Sequence, residues 1–142
     1  MYGGRMRCNV AADGTINAFY GDNNYTEDGT NGQVMVYQPK FYYQRIPLVV
    51  DGNIIRKESL IISPVKHSGF KLAPAFMNGE DELDYILLSA YEGSISGNKL
   101  VSVANVKPAS NLTALAAEEK AAANGTGWHI SNLAVESLNQ ML

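Results

Sequence analysis

The sequence has few of the residues from which disulfides, metal sites and membrane spans are built. Its 142 residues include one cysteine, Cys8, and two histidines, His67 and His129. A single cysteine excludes an intrachain disulfide and a cysteine-rich zinc site, and we predict a buried thiol because free cysteine packs as a small hydrophobe. The longest uncharged apolar runs, residues 46–50 and 85–90, are far shorter than the ~20 residues that cross a bilayer. No membrane insertion is therefore predicted.

A large excess of one charge sign is also missing. Eleven basic and fourteen acidic residues give a net charge of −3, and the basic residues are scattered along the chain. Because phosphate neutralisation supplies most nucleic-acid affinity, we predict no nucleic-acid partner. Arg5 and Arg7 lie near the start, but no apolar stretch of ~7–15 residues follows them, so the sequence does not support export through a secretory signal.

The composition is that of a folded chain of one-domain size, with 46% hydrophobic and 18% charged residues. Residues 5–10 and 15–20 read as strands around Asp13-Gly14, a dipeptide that favours a tight hairpin turn. Residues 21–32 are rich in Asn, Asp and Gly and predict a polar loop. The first half of the chain is therefore predicted to be β-rich.

A second hairpin is predicted around Asp51-Gly52. Strands at residues 34–37 and 41–50 are interrupted by Pro39 and Pro47, which cannot donate to a ladder and indicate edges or bulges. The return strand, residues 53–63, has the apolar content of a half-buried strand.

The second block of the chain combines short strands with two helices. We predict an acidic turn at residues 78–82, a strand at 85–91, a loop at 93–97, and helices at 112–123 and 131–142. Ser110 and Ser131 are the predicted N-caps, and Asn124-Gly125 is the predicted stop of the first helix. The predicted fold class is α+β, with β-hairpins and an antiparallel sheet followed by two C-terminal helices. Residues 1–66 form an N-terminal β-hairpin region and residues 67–142 an α+β region, together one compact unit.

Residues that could carry catalysis are scarce, and we predict a protein that is not an enzyme. Only His67 and His129 could activate a nucleophile, and no Gly-x-Ser-x-Gly elbow is present. We expect His67 in a solvated turn and His129 partly buried beside Trp128. No catalytic, metal-binding or ligand-binding residue is assigned, and no cofactor is predicted.

Two acidic groups leave an alternative open. Asp22, Glu27 and Asp28, and likewise the residues around Glu80 and Asp84, could supply oxygen ligands to calcium, but neither group has the EF-hand spacing. Solvated acidic loops are the favoured interpretation. A carboxylate pair for glycoside hydrolysis could be drawn from the same residues, yet nothing in the sequence sets the required separation.

Tyrosines and phenylalanines are concentrated in the β-rich part. Such side chains suit protein interfaces, but core and cross-strand packing is the favoured interpretation. Phe41 and Tyr43 lie on one strand face and Tyr42 on the other, so we expect at least one of the three to be exposed or covered by another subunit.

Taken in order, several stretches resemble a group of tailed-bacteriophage virion proteins that are common in phages of gut bacteria. The matching residues are Arg7-Cys8-Asn9, Tyr20-Gly21-Asp22, Tyr25-Thr26-Glu27-Asp28-Gly29, Gly32-Gln33-Val34-Met35-Val36, Pro39-Lys40-Phe41-Tyr42-Tyr43, Gly69-Phe70-Lys71-Leu72, Pro74-Ala75-Phe76, Asp84-Tyr85-Ile86, Ser89-Ala90-Tyr91-Glu92-Gly93-Ser94, Lys99-Leu100, Lys107-Pro108-Ala109-Ser110 and Gly125-Thr126-Gly127-Trp128. No single stretch is diagnostic, but the series covers most of the chain. The resemblance implies a C-type-lectin-like fold and a tail-fibre, head-fibre or receptor-binding role in the virion, after synthesis in the host cytoplasm.

The resemblance also implies partners: other virion proteins, further copies of the chain, and a host-surface glycan or protein. Lectin-like folds occur in formylglycine-generating enzymes too, but the reactive cysteines of that group have no counterpart, because Cys8 lies near the start. In the resembling family, the helix matching residues 131–142 leads into further strands that are missing here. We expect either an incomplete lectin-like fold or an apolar end that packs on another chain.

Three hypotheses follow. The first is a virion component that binds a partner protein or a host glycan, and the second is a purely structural tail or capsid accessory. The third, less favoured, is a polysaccharide hydrolase.

Overall fold

A computed structural model describes residues 4–142. The strands, in chain order, are β1 (Met6–Val10), β2 (Ile16–Phe19), β3 (Gln33–Pro39), β4 (Tyr42–Asp51), β5 (Ile54–Ser63), β6 (Lys71–Leu72), β7 (Met77–Asn78), β8 (Asp81–Glu82), β9 (Tyr85–Ser89), β10 (Ser94–Ser96) and β11 (Lys99–Val101). The helices are α1 (Ala114–Ala122) and α2 (Leu133–Met141), and a single 3₁₀ turn spans Pro74–Phe76. The predicted α+β class, with antiparallel sheets and hairpins before two C-terminal helices, is confirmed.

The chain forms two compact units, each assembled from separate stretches of sequence. The arm unit contains Gly4, Pro39–Ile86 and Asn132–Leu142, and the loop unit contains Arg5–Gln38 and Leu87–Ser131. The division into regions 1–66 and 67–142 stays a prediction. Turn residues show only where consecutive elements are joined, so the sequence could not show that distant segments belong to the same unit.

The predicted first hairpin organises the loop unit. β1 pairs antiparallel with β2 and with β3, in a sheet of order β2-β1-β3-β9. Cys8, Val10 and Met35 form the buried core of this unit, and Trp128 is among the partly buried residues that pack against it. Cys8 is fully buried, as the sequence predicts.

A buried carboxamide connects the predicted polar loop, residues 21–32, to the sheet. Asn9 on β1 is fully buried. Its Nδ2 donates to the carbonyl oxygen of Thr26 at 2.7 Å, and its Oδ1 accepts from the amide of Thr26 at 2.8 Å. These two bonds reproduce the exchange that a neighbouring strand makes with its partner. One side chain therefore holds the centre of the loop against the sheet.

Further side-chain bonds fix the rest of the loop. Asn17 donates to the carbonyl oxygen of Asn31 at 2.9 Å, and Asn31 donates to that of Asn24 at 2.8 Å. Asp22 accepts from the amide of Phe19 at 2.8 Å. The loop lacks regular structure, but its backbone groups find partners through Asn and Asp side chains, as such residues do in turns.

Phenylalanine side chains and α2 form the core of the arm unit. Phe41, Ala73, Phe76 and Leu138 are buried together, and the rings of Phe41 and Phe76 meet edge-to-face at 5.5 Å between centroids. Leu138 is the buried residue of α2, whereas Leu133 on the same helix is 83% exposed. The helix thus turns one stripe toward this core and another toward solvent.

Both predicted N-caps are wrong. α1 begins after Thr113, whose hydroxyl accepts from the amide of Ala116 at 3.2 Å, and not after Ser110. Asn111 has φ 60°, a left-handed conformation, so it cannot be the first residue of a right-handed helix capped by Ser110. α2 is capped by Asn132, which accepts from the amide of Val135 at 3.1 Å, and not by Ser131.

Three other expectations differ from the structure in whole or in part. Residues 94–96, predicted as loop, form β10 and pair with β11 around Gly97. The predicted acidic turn at residues 78–82 is the turn of the small β7–β8 hairpin, with its end residues paired as strands. None of the aromatics at residues 41–43 is fully exposed, because Phe41 and Tyr42 are buried and Tyr43 is partly buried against the arm-unit core; cover by another subunit stays a prediction.

Candidate functional site

The two histidines considered for catalysis are exposed and lack catalytic neighbours. The ring of His67 lies 5.3 Å from that of Phe70, in the solvated turn that the sequence predicts. His129 is exposed and not partly buried as expected, and its Nδ1 lies 2.8 Å from the carbonyl oxygen of Ile130. Within residues 4–142 neither imidazole bonds to a serine hydroxyl or a carboxylate, so no nucleophile–base pair is formed.

Several of the carboxylates considered for calcium make structural contacts. Glu82 accepts from the Tyr42 hydroxyl and lies 3.0 Å from Lys40 Nζ, which also lies 2.8 Å from Asp84 Oδ1. Asp28 accepts from the backbone amide of Thr30 at 3.0 Å. In the part of the chain that the structure describes, no three His, Cys, Asp or Glu side chains come close enough to hold a metal ion.

Glu27 organises a cluster in the loop unit that we call the tyrosine platform: Arg7, Tyr20, Tyr25, Glu27 and Tyr91. Glu27 Oε1 accepts from Arg7 Nη1 and from the Tyr25 hydroxyl, both at 2.9 Å, and Oε2 accepts from the Tyr91 hydroxyl at 2.7 Å. The Arg7 guanidinium also lies 5.2 Å from the centroid of the Tyr91 ring, a cation–π distance. One carboxylate therefore positions two tyrosines and one arginine.

These contacts set the electrostatics of the platform. Burial by itself raises the pKa of Glu27, but the hydrogen bonds from Tyr91, Tyr25 and Arg7 outweigh it and hold that pKa below its ordinary value. Burial, followed by the Glu27 carboxylate, raises the pKa of Tyr25 to about 12. Glu27 is thus an ionised acceptor at neutral pH, and the hydroxyl of Tyr25 remains a donor.

Tyr20 is the exposed tyrosine of the platform. It is 71% exposed, and its ring meets that of Tyr25 edge-to-face at 5.4 Å between centroids. Tyr25 is itself held by Glu27, so Tyr20 rests against a fixed support. A supported, exposed tyrosine offers rigid apolar area with one polar tip, which suits recognition.

A cavity of about 400 Å³ also lies in the loop unit, with Val10, Gln33, Val101 and Asn124 in its lining. Gln33 Nε2 donates to Asn124 Oδ1 at 2.9 Å, and Asn124 Nδ2 donates to the carbonyl oxygen of Leu100 at 2.7 Å. Gln33 and Asn124 are therefore engaged with each other and with the backbone of the protein.

The β4–β5 hairpin exposes many apolar side chains. β6 pairs only with Tyr42 and Tyr43 of β4, so within the described chain the remaining hairpin is a two-stranded ribbon. We call residues 44–61 the apolar arm. Its large aliphatic side chains are 37% to 56% exposed; they are Ile46, Leu48, Val49, Val50, Ile54, Ile55, Leu60 and Ile61. The prediction of a half-buried return strand is therefore wrong.

Both faces of the apolar arm carry these side chains. Paired residues share a face and successive residues alternate, so Ile61, opposite Gln44, and Leu60, opposite Arg45, lie on opposite faces. The sequence does contain a signal for apolar side chains on both faces. Adjacent apolar residues such as Ile54-Ile55 and Leu60-Ile61 place apolar groups on both sides of a strand, whereas a strand with one solvated face alternates.

The charges of the arm are nearly balanced and mostly paired. Arg45 Nη1 bonds to Glu58 Oε1, and Arg56 Nη2 bonds to Asp51 Oδ2 at 3.0 Å. Lys57 is the fifth charged residue of the arm, which therefore has three cations and two anions. Such a surface does not select a partner by charge of one sign.

No helix within residues 4–142 is both long enough and apolar enough to cross a membrane. Comparisons with protein-family models, with curated proteins and with solved structures find no match to this chain. The resemblance to phage virion proteins therefore stays a prediction, and the apolar arm and the tyrosine platform are the surfaces from which a function is argued.

Proposed function

We propose that this chain is a tailed-bacteriophage virion protein of the fibre or receptor-binding type, which works by contact and not by catalysis. The apolar arm carries the proposal. The protein would be made in the host cytoplasm and would function in the virion, attached to other virion proteins. Its α+β arrangement is compatible with a C-type-lectin-like fold, which the resemblance implies and which belongs to this proposal.

The solvent exposure of the arm supports a contact role. An isolated two-stranded hairpin is marginally stable in water, and three or more strands or a packed helix are normally required. The arm has neither over residues 44–61, and both its faces expose aliphatic side chains. Monomeric soluble proteins rarely leave a large contiguous apolar surface uncovered. We therefore expect a protein surface to cover the arm in the functional state.

The polar groups of the chain also support a contact role. The carboxylates of Glu27 and Glu82 are held by tyrosine hydroxyls and cations, and His67 and His129 have no catalytic neighbours. The carboxylates hold neighbouring side chains in place, and the exposed tyrosine offers a surface for contact. They favour the contact role over the hydrolase hypothesis.

A second candidate function, host recognition, is favoured by the tyrosine platform. Tyr20 projects with 71% exposure beside the fixed polar loop, a combination that suits stacking against a sugar ring or a protein side chain. A purely structural accessory would use the apolar arm without this second surface. The two roles therefore depend on different parts of the chain.

Mass spectrometry of purified particles from a phage that encodes this chain tests the proposal. We expect its peptides in the particles at a fixed ratio to the major virion proteins. Gradient-purified particles that lack the chain would overturn the virion assignment.

A glycan array and binding to host cells then separate the two roles, with the wild type compared with Tyr20→Ala. Signals that fall in Tyr20→Ala support recognition through the platform. The absence of any signal for the wild type, in particles that do contain the chain, favours the structural accessory. Leu115→Ala is a suitable control, because Leu115 is equally exposed, at 70%, and lies on α1.

A further inference from the structure

We propose that the apolar arm is an interface between copies of this chain, with the arm of one copy enclosed by a second copy. The inference rests on the proposed function, in which the arm is a contact surface, and it names the occupant of that surface. Three observations carry it: the protection of the arm's edges, its charge balance and its apolar area.

The edges of the arm are protected against strand addition. Pro47 removes one backbone donor from β4, and bulges between Pro47 and Val49 and between Val49 and Val50 disturb the ladder. Lys57 and Glu58 place charges on β5. Proline, bulges and edge charges are devices by which natural sheets avoid edge-to-edge pairing. The contact surface is therefore provided by the two faces and not by the free edges.

The charge balance favours a partner with the same character as the arm. Four of the five charged residues pair within the arm, as Arg45 with Glu58 and Arg56 with Asp51. A strongly charged partner would find an excess of only one positive charge on the arm. A second arm presents the same nearly neutral, aliphatic surface, and identical patches related by a two-fold axis are the commonest arrangement in soluble oligomers.

The area is sufficient when both faces are used. Eight aliphatic side chains, at 37% to 56% exposure, present on the order of 700 Å² of surface, close to the ~800 Å² that each partner contributes to a stable interface. One face alone supplies about half of this. We therefore expect the second copy to enclose the arm and not to lie against one side only.

Sedimentation velocity of the purified chain tests the inference. We expect the wild type to sediment as an assembly of two or more 15.4 kDa chains at micromolar concentration. The double variant Leu48→Glu/Ile55→Glu should sediment as a monomer, because it places two buried carboxylates in the interface. The matched control, Leu115→Glu/Leu133→Glu, adds the same charge at exposed leucines outside the arm and should leave the assembly intact.

Disulfide cross-linking of engineered cysteines is a second test, and it does not require the glutamate variants to fold. Cys8 is fully buried, so a new surface cysteine is the reactive thiol of the folded chain. Mild oxidation should convert Leu48→Cys to a covalent dimer rapidly, whereas Leu133→Cys should remain a single chain under the same conditions. Equal cross-linking of the two variants would argue against contact through the arm.

Two results would overturn the inference. One is a wild-type chain that remains a 15.4 kDa monomer, and the other is an assembly that persists in the Leu48→Glu/Ile55→Glu variant. A monomer that is nevertheless found in purified particles would mean that another virion protein covers the arm. The proposed function would survive that result, whereas absence from the particles would remove it whatever the oligomeric state.

Discussion

Replacing Leu138 by Ala should remove a large part of the stability of the arm unit. Leu138 is 1% exposed and contacts the core formed by Phe41, Ala73 and Phe76. The substitution deletes three carbon atoms, each worth about 0.8 kcal/mol in transfer from water, and leaves a cavity between rigid aromatic rings. We therefore expect a loss of about 2–5 kcal/mol in the free energy of unfolding.

Urea denaturation followed by far-UV circular dichroism measures this loss. With a slope of roughly 2 kcal/mol/M, the middle of the usual range for urea, the midpoint should fall by about 1–2.5 M. Leu133→Ala is the matched control, because it makes the same chemical change on the same helix at a side chain that is 83% exposed. Its expected change is within about 0.5 kcal/mol. Similar midpoints for the two variants would refute the assignment of Leu138 to the core.

Three further predictions concern the loop unit. Hydrogen bonds and Arg7 hold the pKa of Glu27 below its ordinary value, so the stability that this group contributes is present above the ordinary pKa and is lost as pH falls through the lowered pKa. The urea midpoint of Glu27→Gln should therefore change less than that of the wild type between about pH 6 and pH 3, and equal changes would contradict this. Burial raises the pKa of the Cys8 thiol to about 11, so a thiol reagent at about pH 8 should label Cys8 only after urea is added. Rapid labelling of the native chain would show that the thiol is accessible. Gly32 has φ 109°, and a Cβ added there would lie 2.6 Å from the carbonyl oxygen of Val10, whereas Gly14 has φ 87° and open space around it. The melting temperature of Gly32→Ala should therefore be lower than that of Gly14→Ala by several degrees, and the reverse order would be inconsistent with this packing.

The hairpin turns could be predicted from the sequence because they depend on local chemistry. Asp13-Gly14 and Asp51-Gly52 each join paired strands, and both glycines have positive φ. Pro47 likewise lies beside a bulge, as a residue without an amide donor should. The conformational preferences of a few neighbouring residues determine each of these turns and the bulge.

Helix starts were less predictable because several polar residues compete for the capping position. Ser110, Asn111 and Thr113 are all reasonable caps before α1, and the left-handed conformation of Asn111 decides among them. β10 was missed because Ser94–Ser96 has only three residues and follows a glycine. The Gly97-Asn98 dipeptide between β10 and β11 was the available turn signal.

The candidate surfaces depend on contacts between distant parts of the chain. Glu27 meets Arg7, 20 residues away, and Tyr91, 64 residues away, and no pattern along the sequence marks them as neighbours. The exposure of β5 was mispredicted for a related reason. Apolar content shows that a strand has something to bury, but the covering element has to come from elsewhere, and the described chain supplies none over residues 44–61.

The two bonds between Asn9 and the backbone of Thr26 restrict what evolution can place at position 9. An aspartate there lacks the donor, a glutamine is one methylene too long, and a leucine removes both bonds from a fully enclosed position. Thr26 contacts Asn9 through its main chain, and its hydroxyl accepts from the amide of Asn31 at 3.2 Å. The placement of a twelve-residue segment thus depends on a carboxamide at position 9 and on a hydroxyl at position 26.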